Sequence, residues 1–118
     1  NPRIGMLAAP TAFDAIDGRH IDADAQDITV RVLSMTNVHR VSPLTSALCL
    51  AAASRIEGTL VHSLARARAG DLRIGTPSGV LPVGADVTRA NGGWHANYTR
   101  SYRTARRLMQ GSVLIPKL

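Results

Sequence analysis

The hydrophobic pattern of the chain changes from strand-like to helix-like at residue 42. Ile4 to Ala9 is a short apolar run ended by Pro10, which predicts a strand buried on both faces. Asp27 to Leu33 alternates apolar and polar residues, which predicts a strand with one buried face. Between them, Thr11 to Gln26 shows no clean period, so we expect a loop that holds one short helical turn.

After a connection that follows the second strand, apolar residues fall at helical spacing. Ser42 is the expected N-cap, Pro43 the first helical residue and Gly58 the stop. Positions 44–53 are apolar around most of the circumference, which predicts a helix enclosed by sheet. Cys49 lies in this stretch, so we expect it to be a buried small hydrophobe and not a nucleophile.

Beyond residue 58 the pattern favours strands joined by glycine-rich turns. Thr59 to Leu64 is predicted to be a strand, and a basic turn follows it. The turn Gly75-Thr-Pro-Ser-Gly79 separates apolar segments at 72–74 and 80–87, which predicts a hairpin. It has neither the spacing nor the following helix of a P-loop or a dinucleotide-binding turn.

The C-terminal third predicts one more hairpin and a closing strand. Asn91-Gly92-Gly93 favours a tight turn, because these residues tolerate positive φ. Trp94 to Arg107 predicts a strand followed by one helical turn over 105–110, and Val113 to Ile115 predicts a strand that closes the sheet.

Composition places the chain among ordinary globular proteins. Hydrophobic residues make up 45%, charged residues 19% and aromatic residues 3% of the 118 positions, so aliphatic side chains and alanine must fill the core. One cysteine excludes an internal disulfide, and no apolar run is long enough to cross a membrane. We therefore expect a cytoplasmic protein. Because the first residue is Asn1 and not methionine, we expect the chain to begin inside a longer gene product.

The net charge of +6 is unevenly distributed, with −3 over residues 1–27 and +9 over the remainder. Such a basic body attracts anions at long range. A cluster of arginines with interleaved tyrosines consists of Tyr98, Arg100, Tyr102, Arg103, Arg106 and Arg107. It is compatible with a stand-alone module that binds nucleic acid or another polyanion. A solvated strand face that pairs with Asp residues is the favoured interpretation, so nucleic acid is not the preferred partner.

The predicted helix entrance, Ser42-Pro-Leu-Thr-Ser46, is the strongest candidate binding site. A helix N-terminus presents unpaired N–H groups to a carboxylate or phosphate, and Thr45 and Ser46 add hydroxyl donors. His39 precedes the entrance and offers an imidazole for binding or proton transfer. A capped helix that binds nothing, with a histidine that satisfies a nearby carbonyl, is the alternative. The remaining histidines have no metal-ligand spacing, so no metal is predicted.

In order and spacing, these segments resemble the PrpF-like isomerases of the diaminopimelate-epimerase-like superfamily. The matching pieces are Arg31 to Met35 with His39, Pro43 to Ala53, Ile56-Glu-Gly-Thr59, Arg73 to Gly79, Arg103 to Gly111 and Val113 to Pro116. The resemblance extends over nearly the whole chain.

The resemblance implies an α+β fold in which residues 1–118 form one C-terminal lobe, or part of one, of a two-lobed protein. Its mostly antiparallel sheet would wrap around a central apolar helix. The implied activity moves a proton along the allylic system of an unsaturated di- or tricarboxylate such as aconitate, without any cofactor. The family's principal cysteine and lysine belong to the first half, so we expect no catalytic residue in this chain and no activity without the missing N-terminal lobe. A homo-oligomer is left open.

By resemblance, seven residues would line this half of the substrate pocket: Ser34, Met35, His39, Thr45, Ser46, Thr76 and Ser78. The chain departs from the family pattern at two of them and at two neighbouring positions. The family usually has glycine in place of Thr36, histidine in place of Thr76 and often glycine in place of Ser46. Pro43 stands where related epimerases carry an acid/base cysteine. Beside the isomerase and the polyanion-binding module, a third interpretation is an inactive remnant whose sheet edges drive self-association, because a truncated two-lobed fold exposes surface that the other lobe would cover.

Overall fold

The computed structural model describes residues 3–66 and 69–116. Its elements in chain order are β1 (Arg3–Ala8), β2 (Phe13–Asp14), β3 (His20–Ile21), a 3-10 turn (Ala23–Ala25), β4 (Ile28–Ser34), β5 (Asn37–Val38), α1 (Leu44–Ala53), α2 (Leu60–Leu64), β6 (Leu72–Thr76), β7 (Gly79–Ala90) and β8 (Gly93–Ser101). The described residues thus combine a mixed sheet with few helices.

The main sheet has the strand order β1-β4-β6-β7-β8, and β5 pairs with the end of β4. Strands β4 and β6 are parallel, with Ile28 opposite Ile74, and the other pairs are antiparallel. β2 and β3 form a separate two-stranded sheet. The predicted α+β class with a mostly antiparallel sheet is confirmed.

Alternation in the sequence locates the buried face of the sheet. Ile28, Val30 and Val32 on β4 are buried, as the period of two predicts. The hairpin of β6 and β7 is confirmed, and so is the turn between β7 and β8. In that turn Asn91 and Gly92 have φ values of 51° and 77°, the left-handed conformation that two-residue hairpin loops require.

The core forms where the buried sheet face meets α1 and α2. Its buried members are Ile28, Val30, Val32, Ala47, Ala51, Val61, Ala65, Leu72, Ile74 and Val83. α1 contributes two alanines to this core, and their small side chains allow the helix backbone to lie close to the sheet. Aliphatic residues and alanine therefore build the core, as the scarcity of aromatic residues predicts.

The expectation that sheet encloses α1 is wrong for the described part of the chain. Only Ala47 and Ala51 of this helix are buried, because the sheet covers one side of it. Cys49 is exposed, which corrects the prediction of a buried thiol. The helix ends at Ala53, well before Gly58, and Ser42 is not its cap, since Pro43 takes the N-cap position without a side-chain cap.

The segment Thr59 to Leu64 is helical, so the predicted strand is wrong. The Thr59 hydroxyl oxygen accepts a hydrogen bond from the His62 N–H at 3.1 Å and caps α2. Gly58 has a φ of 86°, which turns the chain into the new helix. Capping therefore outweighs the strand preference of the short apolar run.

The predicted N-terminal strand exists as β1, but its burial on both faces is wrong. Ile4 and Met6 are 64% and 52% exposed, because nothing in the described chain covers this outer face. In the segment after it, the expected helical turn is the 3-10 turn at Ala23–Ala25. The short strands β2 and β3 were not predicted.

Beyond β8 the predicted helical turn and closing strand are both wrong. Residues 102–116 have neither helix nor strand, and the apolar side chains among them are exposed. An isolated segment cannot satisfy its own backbone groups as a strand, and no described strand pairs with residues 102–116.

Asp27 and Arg73 hold the parallel pair β4 and β6 together. The Asp27 N–H donates to the Arg73 carbonyl oxygen at 2.8 Å, and the Arg73 N–H donates to Asp27 Oδ2 at 2.8 Å. The Arg73 guanidinium adds Nη2 to Oδ1 at 2.7 Å and Nε to Oδ2 at 3.1 Å. Asp27 is only 3% exposed, so this carboxylate is both buried and fully paired.

Candidate functional site

Two pockets flank the beginning of α1. The first, the Arg3 pocket, has a volume of about 320 Å³ and lies between α1 and the strands β1 and β4. It is lined by Arg3, Gly5, Leu7, Val30, Val32, Thr45, Ser46, Cys49 and Leu50. Thr45 and Ser46, two of the predicted substrate-binding residues, therefore share one largely apolar pocket.

Arg3 supplies the charge of this pocket, and sequence reasoning missed it. Its Nη1 atom donates to Thr45 Oγ1 at 3.1 Å across a sequence separation of 42 residues. The contact arises because β1 pairs with β4, which sets Arg3 opposite Ser34. No local signal indicates this neighbour; only the strand pairing brings the guanidinium to the helix entrance.

The second pocket, the Ser42 pocket, has a volume of about 310 Å³ and lies between the helix entrance and the strands β7 and β8. Its lining residues are Val41, Ser42, Leu44, Leu81, Val83, Ser101, Tyr102 and Arg103. Both pockets thus combine aliphatic walls with hydroxyl groups and one arginine.

The first turn of α1 separates the two pockets. Ala47 is the first residue whose N–H bonds within the helix, to the Pro43 carbonyl oxygen at 2.9 Å. The amides of Leu44, Thr45 and Ser46 therefore have no partner inside the helix. Since no side chain caps this end, a positively polarised helix terminus meets both pockets.

Ser34 and Met35 lie at the hairpin between β4 and β5. Ser34 pairs with Asn37, and the chain reverses through Met35 and Thr36. Met35 has a φ of 57° and an exposed side chain. A residue with a Cβ atom pays about 1 kcal/mol for this left-handed conformation. This part of the predicted site is a strained, solvent-facing turn.

His39 follows this hairpin and is held by its backbone. Its N–H donates to the Val32 carbonyl oxygen at 2.8 Å. Its Nε2 atom is buried and has no hydrogen-bond partner in the described part of the chain. His39 lines neither of the two pockets.

The turn that contains Thr76 and Ser78 docks on the connection after β5. The Ser78 N–H donates to the Arg40 carbonyl oxygen at 2.9 Å, which brings this turn beside His39. Thr76 is 2% exposed, and its hydroxyl donates to the Gly79 carbonyl oxygen at 2.9 Å. The Thr76 side chain therefore closes its own turn.

The predicted site residues accordingly form two groups. Thr45 and Ser46 lie in the Arg3 pocket, whereas Ser34, Met35, His39, Thr76 and Ser78 lie around the connection after β4. Among the described residues, no group of three or more His, Cys, Asp or Glu side chains is arranged to hold a metal ion. No helix in residues 3–66 and 69–116 has the length and hydropathy required to span a membrane.

Comparison with known proteins assigns the family. The family described as PrpF protein matches residues 1–116. The chain belongs to the PrpF family. It is 37% identical over 117 residues to the 2-methyl-aconitate isomerase of Shewanella oneidensis, a match that covers 98% of this chain and 30% of that protein. It is 32% identical over 119 residues to the 3-methylitaconate isomerase of Eubacterium barkeri, a match that covers 98% of this chain and 30% of that protein.

The fold is likewise similar to a PrpF-family structure. The crystal structure of methylitaconate-delta-isomerase superimposes with a TM-score of 0.69 and 27% sequence identity over 86% of this chain and 28% of that one. The chain thus spans about 30% of the length of the relatives that it matches. The predicted resemblance to the PrpF family is confirmed.

Proposed function

We propose that this chain forms part of a PrpF-family isomerase that moves a proton along the allylic system of an unsaturated di- or tricarboxylate. Residues 1–118 would be a single C-terminal lobe, or part of one, and would contribute carboxylate-binding groups. The observation that carries the proposal is the uncapped first turn of α1, which lies between two pockets that each contain an arginine. The names of its relatives, isomerases of methylaconitate and methylitaconate, support the substrate class.

The physical role of such a turn is to stabilise negative charge. Removing a proton beside a carboxylate or carbonyl builds charge on oxygen, and preorganised N–H donors lower the energy of that state. Arg3 adds a guanidinium suited to a carboxylate, and Thr45 already holds this side chain at 3.1 Å. Leu7, Val30 and Val32 offer an apolar wall for the carbon skeleton of the substrate.

Within this proposal the seven predicted residues have unequal roles. Thr45 and Ser46 would bind the substrate directly through their hydroxyl groups. Ser34, Met35, His39 and Ser78 would form the neighbouring wall, and Thr76 would act through the shape of its turn, because its hydroxyl is engaged with Gly79. The groups that take and return the proton would come from outside residues 1–118, so this chain alone should be inactive.

A chimera tests the proposal. Residues 1–118 replace the aligned segment of the Shewanella oneidensis relative, and NMR follows isomerisation and deuterium exchange of 2-methylaconitate. We expect turnover by the chimera and none by the chain alone. Arg3→Gln should lower kcat/KM by about tenfold or more, the typical effect of losing a charged hydrogen bond.

Arg89→Gln is the matched control, because it removes the same charge from an arginine that stacks on Trp94 at 5.6 Å from the ring centre. This variant should retain the activity of the chimera. A chimera that folds but exchanges no deuterium into 2-methylaconitate, methylitaconate or oxalomesaconate would contradict the proposal.

The alternative of a nucleic-acid-binding module gains little from Arg100 and Tyr102, two members of the cluster of arginines and tyrosines at the end of the chain. Arg100 pairs with Asp71 at 2.9 Å, and the Tyr102 hydroxyl donates to the same carboxylate at 2.6 Å. At Arg100, the contact to Asp71 fits the solvated, ion-paired strand face. If the module interpretation is correct, the chain will shift single-stranded DNA in a gel at low salt, and its affinity for the DNA will fall steeply as the salt concentration rises.

A further inference from the structure

We propose that the Ser42 pocket is a second carboxylate-binding site, in which the Ser42 hydroxyl and the Arg103 guanidinium hold the carboxylate of a small unsaturated acid. Neither residue belongs to the set that the family resemblance implies. The choice of an unsaturated acid rests on the proposed function. The existence of the pocket and its polar groups does not.

The first argument is the state of the Ser42 hydroxyl. Ser42 is 7% exposed and lines the pocket, yet its Oγ atom is buried without a hydrogen-bond partner in the described part of the chain. A buried hydroxyl that is left unpaired destabilises the folded chain. Ser42 does not relieve this cost by capping α1, as no side chain caps that helix. A ligand that accepts its hydrogen would relieve it.

The second argument is the charge at the pocket. Arg103 is the charged member of the described lining, and no acidic side chain of the described residues pairs with it. The residues just before Arg103 are held by hydrogen bonds. Arg100 and Tyr102 both bind the Asp71 carboxylate, at 2.9 Å and 2.6 Å, which anchors the chain where it leaves β8. Arg103 is exposed, so its guanidinium can turn to pair with an anion at the pocket.

The third argument is the shape and polarity of the remaining lining. Val41, Leu44, Leu81 and Val83 give the pocket an aliphatic floor, and its volume of about 310 Å³ is at the lower limit of ligand pockets. Such a lining favours a short carbon skeleton with one anionic end over a bare inorganic anion. The unpaired amide of Leu44 in the first turn of α1 adds a donor at the pocket wall.

The site is tested by NMR titration of the full 118-residue chain with itaconate. Dimethyl itaconate is the neutral control ligand, and inorganic sulfate is the control anion. We expect amide shifts in Val41 to Leu44 and in Ser101 to Arg103 with itaconate, and weaker or absent shifts with both controls. Arg103→Gln and Ser42→Ala should each raise the dissociation constant by roughly tenfold or more.

Arg106→Gln is the matched control, since it removes the same charge three residues further along the exposed segment and outside the pocket. It should leave the dissociation constant within twofold of the unmodified chain. Equal weakening by Arg103→Gln and Arg106→Gln would mean attraction by net charge alone and would overturn the proposal. So would the absence of shifts around Ser42 and Arg103.

A second measurement separates this inference from the proposed function. In the chimera, Arg103→Gln should raise KM for 2-methylaconitate by roughly tenfold while Arg106→Gln does not, if the pocket binds one carboxylate of the substrate. An inactive chimera together with itaconate binding that depends on Arg103 would reject the function and retain the site. If instead the chimera is active, its KM is unchanged in Arg103→Gln and the chain does not bind itaconate, the proposed function is retained and the site is rejected.

Discussion

At the scale of single residues, Asp27 shows how one carboxylate can join two strands that are far apart in the sequence. Burial, the largest influence, raises its pKa, but the hydrogen bonds from the Arg73 side chain and N–H and the positive charge of Arg73 outweigh it. The pKa of Asp27 is therefore lowered below its ordinary value of 3.8. The ionised side chain stabilises the parallel junction of β4 and β6.

The stability of the chain should therefore depend on pH through Asp27. Its contribution is complete above pH 3.8, where the carboxyl group of the unfolded chain is also ionised, and it is lost as the pH falls through the lower folded pKa. We expect Asp27→Asn to lower the free energy of unfolding by about 2 kcal/mol at pH 7. Urea denaturation at pH 7 and pH 2.5 should show this difference shrinking at the acidic pH.

Asp24→Asn serves as the matched control for this experiment. Asp24 pairs with Arg66 at 2.7 Å, but its side chain is almost fully exposed. An exposed pair contributes about 0–1 kcal/mol. If Asp24→Asn destabilised the chain as much as Asp27→Asn, or if the effect of Asp27→Asn did not change with pH, the assignment to the buried carboxylate would be wrong.

His20 makes a second prediction at this scale. The hydrogen bond from its Nδ1 to Asp14 Oδ1 at 2.7 Å, with the negative charges of Asp14 and Asp22, raises the pKa of the imidazole above 6.5. Protonated His20 therefore stabilises the β2–β3 pair below pH 6.5, and this contribution is lost as the pH rises through the raised folded pKa. In an NMR titration, Asp14→Asn should lower the His20 pKa.

The matched variant is Asp22→Asn, because Asp22 Oδ1 lies 3.5 Å from His20 Nε2, beyond the shorter contact to Asp14. It should change the His20 pKa less than Asp14→Asn does. The opposite order of the two variants would show that the charge of Asp22, and not the hydrogen bond to Asp14, controls the imidazole.

At the scale of elements, strand β6 contains Gly75 because a buried side chain occupies the space beside it. This side chain is that of Gln26, which is fully buried. Its Nε2 atom donates to the Thr11 carbonyl oxygen at 2.7 Å, and its Oε1 atom accepts a hydrogen bond from the Thr29 hydroxyl at 3.0 Å. A Cβ atom at position 75 would lie 1.7 Å from Gln26 Oε1. The absent side chain leaves room for the buried amide that ties the segment after β1 to the sheet.

We therefore expect Gly75→Ala to destabilise the chain by about 1–3 kcal/mol, because the buried amide must move and lose hydrogen bonds. Gly5→Ala is the matched strand-glycine control, since a Cβ atom there would have no neighbour within 4 Å. Thermal unfolding followed by circular dichroism measures both variants. Equal melting temperatures for the two would show that Gln26 does not require the glycine.

At the scale of the whole molecule, the chain is less compact than a closed domain of its length, and it exposes large apolar side chains. The Cα radius of gyration is 18.0 Å, whereas a compact chain of this length has about 13.5 Å. Ile4 and Met6 expose the outer face of β1, and the apolar residues of segment 102–116 are exposed as well. Apolar surfaces of this kind favour association.

We expect the 12.5 kDa chain to self-associate and to bind a hydrophobic dye, with the outer face of β1 contributing. Met6→Lys should reduce both effects with little loss of stability, because the Met6 side chain is mostly exposed. Light scattering after size-exclusion chromatography and dye fluorescence measure the outcome. His95→Lys is the control, because it adds a lysine to another exposed strand, and it should change neither self-association nor dye binding. If it reduced both as much as Met6→Lys does, the cause would be net charge and not the outer face of β1.

The sequence could predict what depends on neighbours along the chain. The alternation of Ile28, Val30 and Val32 located the buried face of β4, and Asn91-Gly92 located a hairpin turn. The beginning of α1 was predicted to within a residue or two, because a proline before a run of helix-forming residues is a local signal. Thr45 and Ser46, the part of the candidate site in that first turn, followed directly.

What only the tertiary structure decided is which of these local surfaces is covered. Cys49 and Ile4 have apolar neighbours in sequence and are nevertheless exposed, because burial depends on elements that pack from a distance. Arg3 reaches Thr45 through strand pairing, and Ser42 and Arg103 share a pocket although 61 positions separate them. Periodicity reports the local alternation that marks a strand such as β4, whereas a binding pocket requires side chains that only the folded sheet brings together.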